Sequence, residues 1–138
     1  MPTWSIGLTD PIGQGWYEGQ LRLGVEVHIL RTDRPLVTES VAVTPKMTYV
    51  FTHGGHWRPF IDGGGGPIWT ELGGKIPEQP GWFNFLVFGG GGVSYAVTPR
   101  LSLVLGGRFA HISNAGTRPT NRGVNYGLPY VGLSWVLF

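Results

Sequence analysis

The chain carries its clearest pattern in Gln20-Leu21-Arg22-Leu23-Gly24-Val25-Glu26-Val27-His28-Ile29-Leu30, where apolar side chains occupy every second position. Successive side chains of a β-strand point to opposite faces of the sheet. The segment therefore predicts a strand with one apolar face and one face that carries Arg22, Glu26 and His28. The same alternation wound into a helix would scatter the apolar residues around the axis.

Five further segments predict strands on the same reasoning, and residues 1–19 have room for one more strand around residues 4–8. The five are 39–51, 57–71, 82–97, 100–114 and 124–138. Pro45 interrupts the first of them and predicts a bulge or a weakly paired position, because proline cannot donate to a strand ladder. The last segment is apolar on both faces, which fits the alternation less well.

Composition limits the protein to one domain, residues 1–138, of an all-β class. Charged residues make up 13% of the chain, and it contains 24 glycines and 11 prolines. This is too apolar for a disordered chain and too rich in glycine and proline for a helical bundle. A net charge of +2 without a basic run argues against nucleic acid, and the absence of cysteine excludes a disulfide framework.

The ends of the predicted strands indicate an antiparallel up-and-down barrel of the outer-membrane type. Short turns are expected at 53–56 and 98–99, and longer connections at 31–38, 73–81 and 115–123. Short turns at one end and long loops at the other are typical of outer-membrane barrels. Phe138 then lies at the periplasmic end and Ser113 at the outer end. No apolar run reaches the roughly 20 residues of a membrane helix. Residues 1–5 also lack the features of a secretory signal, so an exported form would have lost its signal or be a truncated copy.

The aromatic residues gather near both predicted ends of the barrel, as interfacial girdles do. The outer set is Trp69, Trp82 and Phe83, and the inner set is Phe51, Trp57, Tyr95, Trp135 and Phe138. These girdles favour a membrane barrel over a soluble, lipocalin-like barrel, in which the apolar face would point inward.

In the membrane version the charged side chains line the interior and the apolar ones face lipid. The expected interior set is Arg22, Glu26, Lys46, Arg58, Asp62 and Arg108. The expected lipid-facing set includes Leu21, Val25, Leu103 and Phe109. A membrane strand needs about 9 to 11 residues to cross. Residues 1–19 are too few for two such strands, so we expect at least one strand of eight to be missing or poorly formed at the N-terminus.

A candidate site lies at the end of the segment 100–114. His111 and Ser113 continue the lipid-facing phase of Leu103 and Phe109 and therefore emerge outside the barrel, at its outer rim. A histidine beside a serine supplies a base for a nucleophile. The alternative is a polar interfacial rim without chemistry. The pair His53 and His56 is better explained as a solvated turn than as a metal site, so neither metal nor cofactor is expected.

The surrounding residues resemble the lipid A 3-O-deacylase (PagL-type) family, whose members are also described as acyloxyacyl hydrolases. The likeness rests on His111-Ile112-Ser113-Asn114-Ala115-Gly116, Asn121-Arg122-Gly123-Val124-Asn125 and Gly132-Leu133-Ser134-Trp135, with Phe138 at the end. It implies an eight-stranded outer-membrane barrel that hydrolyses the 3-O-linked acyl chain of lipid A in lipopolysaccharide. The partners are then lipopolysaccharide and outer-membrane lipids, and the resemblance also allows a homodimer.

By this resemblance His111 is the general base and Ser113 the nucleophile, while Asn114 and Asn121 are candidates for the oxyanion hole and Gly123 for substrate binding. Asn125 stands where the family carries a glutamate. An amide can orient an imidazole but cannot stabilise an imidazolium as a carboxylate does. Three functions remain open: an outer-membrane esterase, a lipopolysaccharide-binding or structural barrel of the same family that has lost catalysis, and a soluble lipid-binding barrel.

Overall fold

The computed structural model describes residues 1–33, 36–77 and 81–137. These residues form seven strands and two short 3-10 helices, Gly15–Tyr17 and Glu71–Gly74. The strands are β1 (Pro2–Gly7), β2 (Gly19–Thr32), β3 (Thr38–Phe51), β4 (Trp57–Thr70), β5 (Phe83–Ala96), β6 (Leu101–Ser113) and β7 (Val124–Val136). The predicted all-β architecture is confirmed, and each predicted strand is present with ends shifted by a few residues.

The strands pair in chain order to form a closed antiparallel barrel. Closure is made by a short parallel pair, in which Pro2 lies opposite Leu133 and Ser5 lies opposite Val136. β1 has 6 residues, fewer than the about 9 to 11 needed for a membrane crossing. The expectation of an incomplete N-terminal part is therefore confirmed, with seven strands among the described residues.

The connection between β2 and β3 differs from the expected long loop at 31–38. The ladder continues through Arg31 opposite Glu39 to Thr32 opposite Thr38. The Arg31 guanidinium lies 3.9 Å from the Glu39 carboxylate, and this opposite-charge pair supports two more rungs of the ladder. The alternation of short and long connections therefore holds only for the later strands, where 71–82 and 114–123 are long and 97–100 is short.

Pro45 interrupts the ladder between β3 and β4 as expected. Pairing stops after Ala42 opposite Ile68 and resumes at Lys46 opposite Gly64. The register is the same on both sides of the interruption, so the position is weakly paired and is not a bulge.

The outward face is apolar and the inward face carries the charges. Val25, Leu103 and Phe109 are exposed, as expected of lipid-facing side chains, whereas Leu21 is only half-buried. Its carbonyl accepts the backbone N–H of Leu8, so the chain that follows β1 lies against this part of β2. Arg58 shares the inward phase of Phe60 and Asp62 on β4 but stays half-buried, because it lies at the inner turn and donates to the Gly55 carbonyl.

Four buried side chains form an interior ion cluster: Glu26, Lys46, Asp62 and Arg108. The Arg108 guanidinium donates to both carboxylates. The Lys46 ammonium lies 2.7 Å from the Glu26 carboxylate and 3.3 Å from that of Asp62. Two positive and two negative groups compensate one another, which burial of charge requires.

Aromatic and aliphatic side chains seal the barrel around this cluster. The Arg108 guanidinium lies between the rings of Phe88 and Tyr130, at 4.3 and 4.1 Å from their centroids. Toward the outer end the interior is filled by buried apolar residues: Leu30, Ala42, Ile68, Leu86, Phe88, Ala110 and Ile112. The inside of the barrel is a packed core that holds the sheet rigid beneath the outer rim.

Aromatic contacts occur at both ends of the barrel. Trp69, Phe83 and Phe85 pack edge to face at the outer end, and Trp57 packs on Tyr95 at the inner end. Phe138 lies outside the described residues. No helix among the described residues has the length and hydropathy to span a bilayer.

Candidate active site at the outer rim

Strands β6 and β7 place His111 directly opposite Asn125. Direct partners in an antiparallel pair have Cβ atoms about 4.5 to 5.5 Å apart, which brings the side chains into contact. His111 Nδ1 lies 2.7 Å from Asn125 Oδ1. With the amide oxygen on this side, and because an amide oxygen only accepts hydrogen bonds, we infer that Nδ1 carries the proton. In the neutral ring Nε2 is then left with a free lone pair, which is the form that a general base requires.

Gly123 fixes the other side of the His111 ring. Its φ is +70°, a backbone conformation that favours glycine. A Cβ at this position would lie 2.4 Å from His111 Cε1 and 2.9 Å from Nε2. The imidazole therefore packs directly on the Gly123 backbone, and any side chain there would displace it.

Ser113 ends β6 on the same face as His111 and lies opposite Phe85 of β5. Residues two apart in a strand are about 6.5 Å apart along its axis. Among the described side chains no hydrogen bond joins the Ser113 hydroxyl to the His111 ring, which is turned toward Asn125. Catalytic hydrogen bonds are often long without substrate and tighten in the complex. A change of side-chain rotamer has to bring the two groups together.

Asn114 organises the loop between β6 and β7. It is fully buried, its Nδ2 donates to the Thr120 carbonyl (2.6 Å), and its Oδ1 accepts from the Gly116 N–H (2.9 Å). Its carbonyl accepts the Thr117 N–H, and both residues between have positive φ, 53° at Ala115 and 77° at Gly116. Positive φ at both central residues is what a type I′ turn requires. Both polar atoms of the Asn114 side chain are thus occupied within the loop.

Asn121 differs from Asn114 in its free amide group. Its Oδ1 accepts the Asn114 backbone N–H at 3.0 Å, and the side chain is exposed. Among the described residues its Nδ2 donates to no group, so this amide remains available as a donor to a ligand. From the sequence, both asparagines were candidates for the oxyanion hole. Their difference depends on the folded loop and has no signal in residue type or spacing.

Contacts between the outer loops hold the edge of the site in place. The Arg118 guanidinium packs on Gly81, where a Cβ would lie 2.3 Å from its Cζ. This contact ties the site loop to the connection between β4 and β5. On that connection the Lys75 ammonium lies 2.8 Å from the Glu71 carboxylate and lowers the pKa of that carboxyl.

The described residues contain no group of three or more His, Asp or Glu side chains that could hold a metal ion. In the turn after β3 the His56 ring pairs with the Ala96 carbonyl at 3.0 Å. The donor set at the outer rim consists of an imidazole, a hydroxyl and amides, which suits proton transfer and nucleophilic attack.

Comparison with known proteins assigns the chain to a family. A family model described as "Lipid A 3-O-deacylase (PagL)" matches residues 2–134. The chain belongs to the lipid A 3-O-deacylase (PagL) family. The matched region includes every residue nominated for the site, namely His111, Ser113, Asn114, Asn121, Gly123 and Asn125.

A solved structure of the PagL family supports the fold. The chain is similar to the one described as "Crystal structure of the outer membrane enzyme PagL", with a TM-score of 0.68 and 26% sequence identity. The similarity covers 94% of this chain and 85% of that one. No curated protein matches the chain. The chain therefore has the fold of the PagL outer-membrane barrel, which favours the membrane interpretation of the alternating pattern over the soluble one.

Proposed function

We propose that this protein is an outer-membrane esterase that hydrolyses the 3-O-linked acyl chain of lipid A by a serine–histidine mechanism. The observation that carries the proposal is the bond from His111 Nδ1–H to Asn125 Oδ1, which leaves Nε2 as the proton acceptor. Ser113 lies on the same outward face, at the level where an ester near a lipid head group would meet it.

The reaction follows from these groups. Ser113 Oγ attacks the ester carbonyl carbon while His111 Nε2 takes the hydroxyl proton. The carbonyl oxygen becomes an oxyanion, toward which the Asn121 Nδ2 donates. Collapse of the intermediate breaks the ester bond, and His111 returns the proton to the 3-oxygen of the sugar. Water then attacks the acyl-enzyme with His111 again as base and releases the fatty acid, so every step is served by side chains of this chain.

Asn125 favours a second candidate function, a barrel that binds lipopolysaccharide or serves a structural role with impaired catalysis. In a serine protease, the Asp-to-Asn change at the equivalent point of the triad lowers kcat about 10⁴-fold, largely through the wrong imidazole tautomer. Here Oδ1 faces Nδ1, so the correct tautomer is retained. We therefore expect a loss limited to the missing negative charge, and an enzyme that is slow but active.

The exposed cations of the outer loops suit the phosphates of lipid A. Arg118 and Arg122 both lie within the site loop, between β6 and β7. Anionic head groups would be drawn to this end of the barrel, next to His111 and Ser113. Homodimer formation stays a prediction, which sedimentation of the protein in detergent would check.

The test is hydrolysis of lipopolysaccharide by the purified protein in detergent, with released 3-hydroxy fatty acid measured by mass spectrometry. We expect release by the wild type and none by Ser113→Ala or His111→Ala. The matched control is Ser102→Ala, the same change on the inward face of the same strand, which should hydrolyse at the wild-type rate. If Ser113→Ala released fatty acid at the wild-type rate, Ser113 would not be the nucleophile. A folded wild type that releases nothing would support the second candidate.

A further inference from the structure

Arg118 lies in the site loop, and its backbone is held on both sides. The N–H and the hydroxyl of Thr117 both donate to the Asn114 carbonyl, the hydroxyl at 2.7 Å. On the other side the Thr120 carbonyl accepts from Asn114 Nδ2. Pro119 follows Arg118 directly and disfavours a helical backbone there, because the proline ring crowds the residue before it. The long arginine side chain therefore starts from a fixed position.

The guanidinium of Arg118 lies flat on Gly81, in the connection between β4 and β5. A Cβ on Gly81 would lie 2.3 Å from Cζ and 2.6 Å from both Nη1 and Nη2. Because the two nitrogens are equally distant and the central carbon is nearer, Gly81 meets the face of the group and not its edge. A side chain at this position would push the guanidinium away, and the φ of +114° also favours glycine.

Gly81 is itself anchored close to Ser113. Its carbonyl accepts a hydrogen bond from Asn84 Nδ2 at 2.8 Å, and the Asn84 side chain is fully buried. The next residue of β5, Phe85, lies directly opposite Ser113. The guanidinium on Gly81 is therefore held on the side of the outer rim where Ser113 lies.

The N–H groups of this guanidinium are open to a ligand. The side chain is exposed, and among the described residues it makes no hydrogen bond and no ion pair. Gly81 covers only the face of the group, so the edge that carries the N–H donors stays free. This planar fork matches two oxygens of a phosphate. A side chain that is already held in place also loses less entropy when it binds.

We propose that Arg118 is the receptor for one phosphate of lipid A and makes the protein select phosphorylated substrates. This inference rests on the proposed function, since it places the phosphate beside the ester that Ser113 attacks. Lipid A carries a phosphate on each sugar of its glucosamine disaccharide, so the sugar that bears the ester also bears a phosphate. Holding that phosphate orients the sugar and brings its ester to the nucleophile. Arg122 is exposed on the same loop, and no glycine face of this kind holds it among the described residues.

The first experiment measures binding without turnover, in the Ser113→Ala protein in detergent. Calorimetric titrations use lipid A with both phosphates and the two forms that each lack one of them. We expect the loss of one particular phosphate to weaken binding about tenfold, as expected for a charge-assisted hydrogen bond at an exposed site. That lipid identifies the phosphate that Arg118 holds. Adding Arg118→Gln should abolish the tenfold ratio.

Arg122→Gln is the matched control, because it makes the same charge change in the same loop. It should weaken the binding of all three lipids alike and keep the tenfold ratio, since an arginine that is not held attracts anionic head groups in general. The proposal is wrong if neither phosphate affects binding, or if the ratio persists in Arg118→Gln.

The second experiment tests the held geometry in the same titrations. Gly81→Ala keeps the arginine but places a methyl group against its guanidinium, so we expect it to lose the ratio as Arg118→Gln does. Its control is Gly55→Ala at the inner turn, where φ is +63° and no atom lies within 4 Å of the added Cβ. Arg118→Lys keeps the charge without the planar fork and should lose most of the ratio. A full ratio in Gly81→Ala or in Arg118→Lys would show that charge alone suffices and would overturn the proposal.

The titrations and the hydrolysis assay can fail independently. If the wild type releases no fatty acid but the Arg118-dependent ratio is present, the esterase is wrong and the phosphate receptor stands. If fatty acid is released through Ser113 but the ratio persists in Arg118→Gln, the receptor is wrong and the esterase stands.

Discussion

The amide of Asn125 determines how strong a base His111 can be. Its oxygen selects the tautomer that leaves Nε2 free, but it carries no charge to stabilise the imidazolium that forms when Ser113 loses its proton. Asn125→Asp is nearly isosteric at a contact of 2.7 Å and supplies that charge. We expect a higher kcat for fatty acid release, with about 10⁴-fold as the upper limit. Asn125→Glu should preserve or raise activity, and Asn125→Leu should lower it. A less active Asp variant would contradict this role.

The backbone of Gly123 sets the position of the imidazole, and a methyl group tests this directly. Gly123→Ala places a Cβ against His111 Cε1 and adds strain at a positive φ. We expect a large loss of kcat with a stability cost of about 1 to 2 kcal/mol. Gly116→Ala is the matched control, because its φ is also positive but no atom lies within 4 Å of the added Cβ. Both variants are assayed for hydrolysis and for melting temperature. Equal losses of activity would show that strain, and not the ring contact, matters.

At the scale of elements, the loop from β6 to β7 depends on one buried side chain. Asn114→Ala removes the hydrogen bonds to the Thr120 carbonyl and the Gly116 N–H, each worth about 0.5 to 1.5 kcal/mol because water can reach these exposed residues. We expect the loop amides to exchange faster and hydrolysis to fall, while the barrel melts near the wild-type temperature. Asn114→Asp keeps the acceptor for the Gly116 N–H. Its rates of amide exchange and of hydrolysis should therefore lie between those of the wild type and of Asn114→Ala. If hydrolysis stayed normal while the loop amides exchanged faster, an ordered loop would not be needed for activity.

The alternation of side chains was sufficient to predict the strands, because each strand buries one face and exposes the other. It did not predict the rung between Arg31 and Glu39, since a cross-strand ion pair has no period in the sequence. It also could not separate Asn114 from Asn121, which are the same residue type in one loop and differ only in which group each one bonds. The parallel closure of β1 on β7 depends on which edges are left over when the other strands have paired.

At the scale of the whole molecule, the interior ion cluster holds four strands together. Arg108→Met removes the side chain that bonds both Glu26 and Asp62 and leaves two buried carboxylates with one lysine. Removing one partner of a buried pair costs about 3 to 5 kcal/mol, so we expect a clearly lower melting temperature in detergent. Arg100→Met is the control, because Arg100 is exposed at the turn before the same strand. Equal melting of the two variants would mean that the cluster contributes little.

The join between the first and the last strand has a kinetic consequence. β1 pairs with β7, where Pro2 lies opposite Leu133, so the barrel cannot close before these two strands, which are far apart in sequence, have met. Contacts between distant parts of a chain form slowly. The chain must lose the entropy of loop closure before it gains the favourable free energy of the contact. Until then the sheet is open, and its two edge strands carry unpaired backbone groups. Refolding from urea should therefore be slow, and its last phase should be the one that protects Leu133.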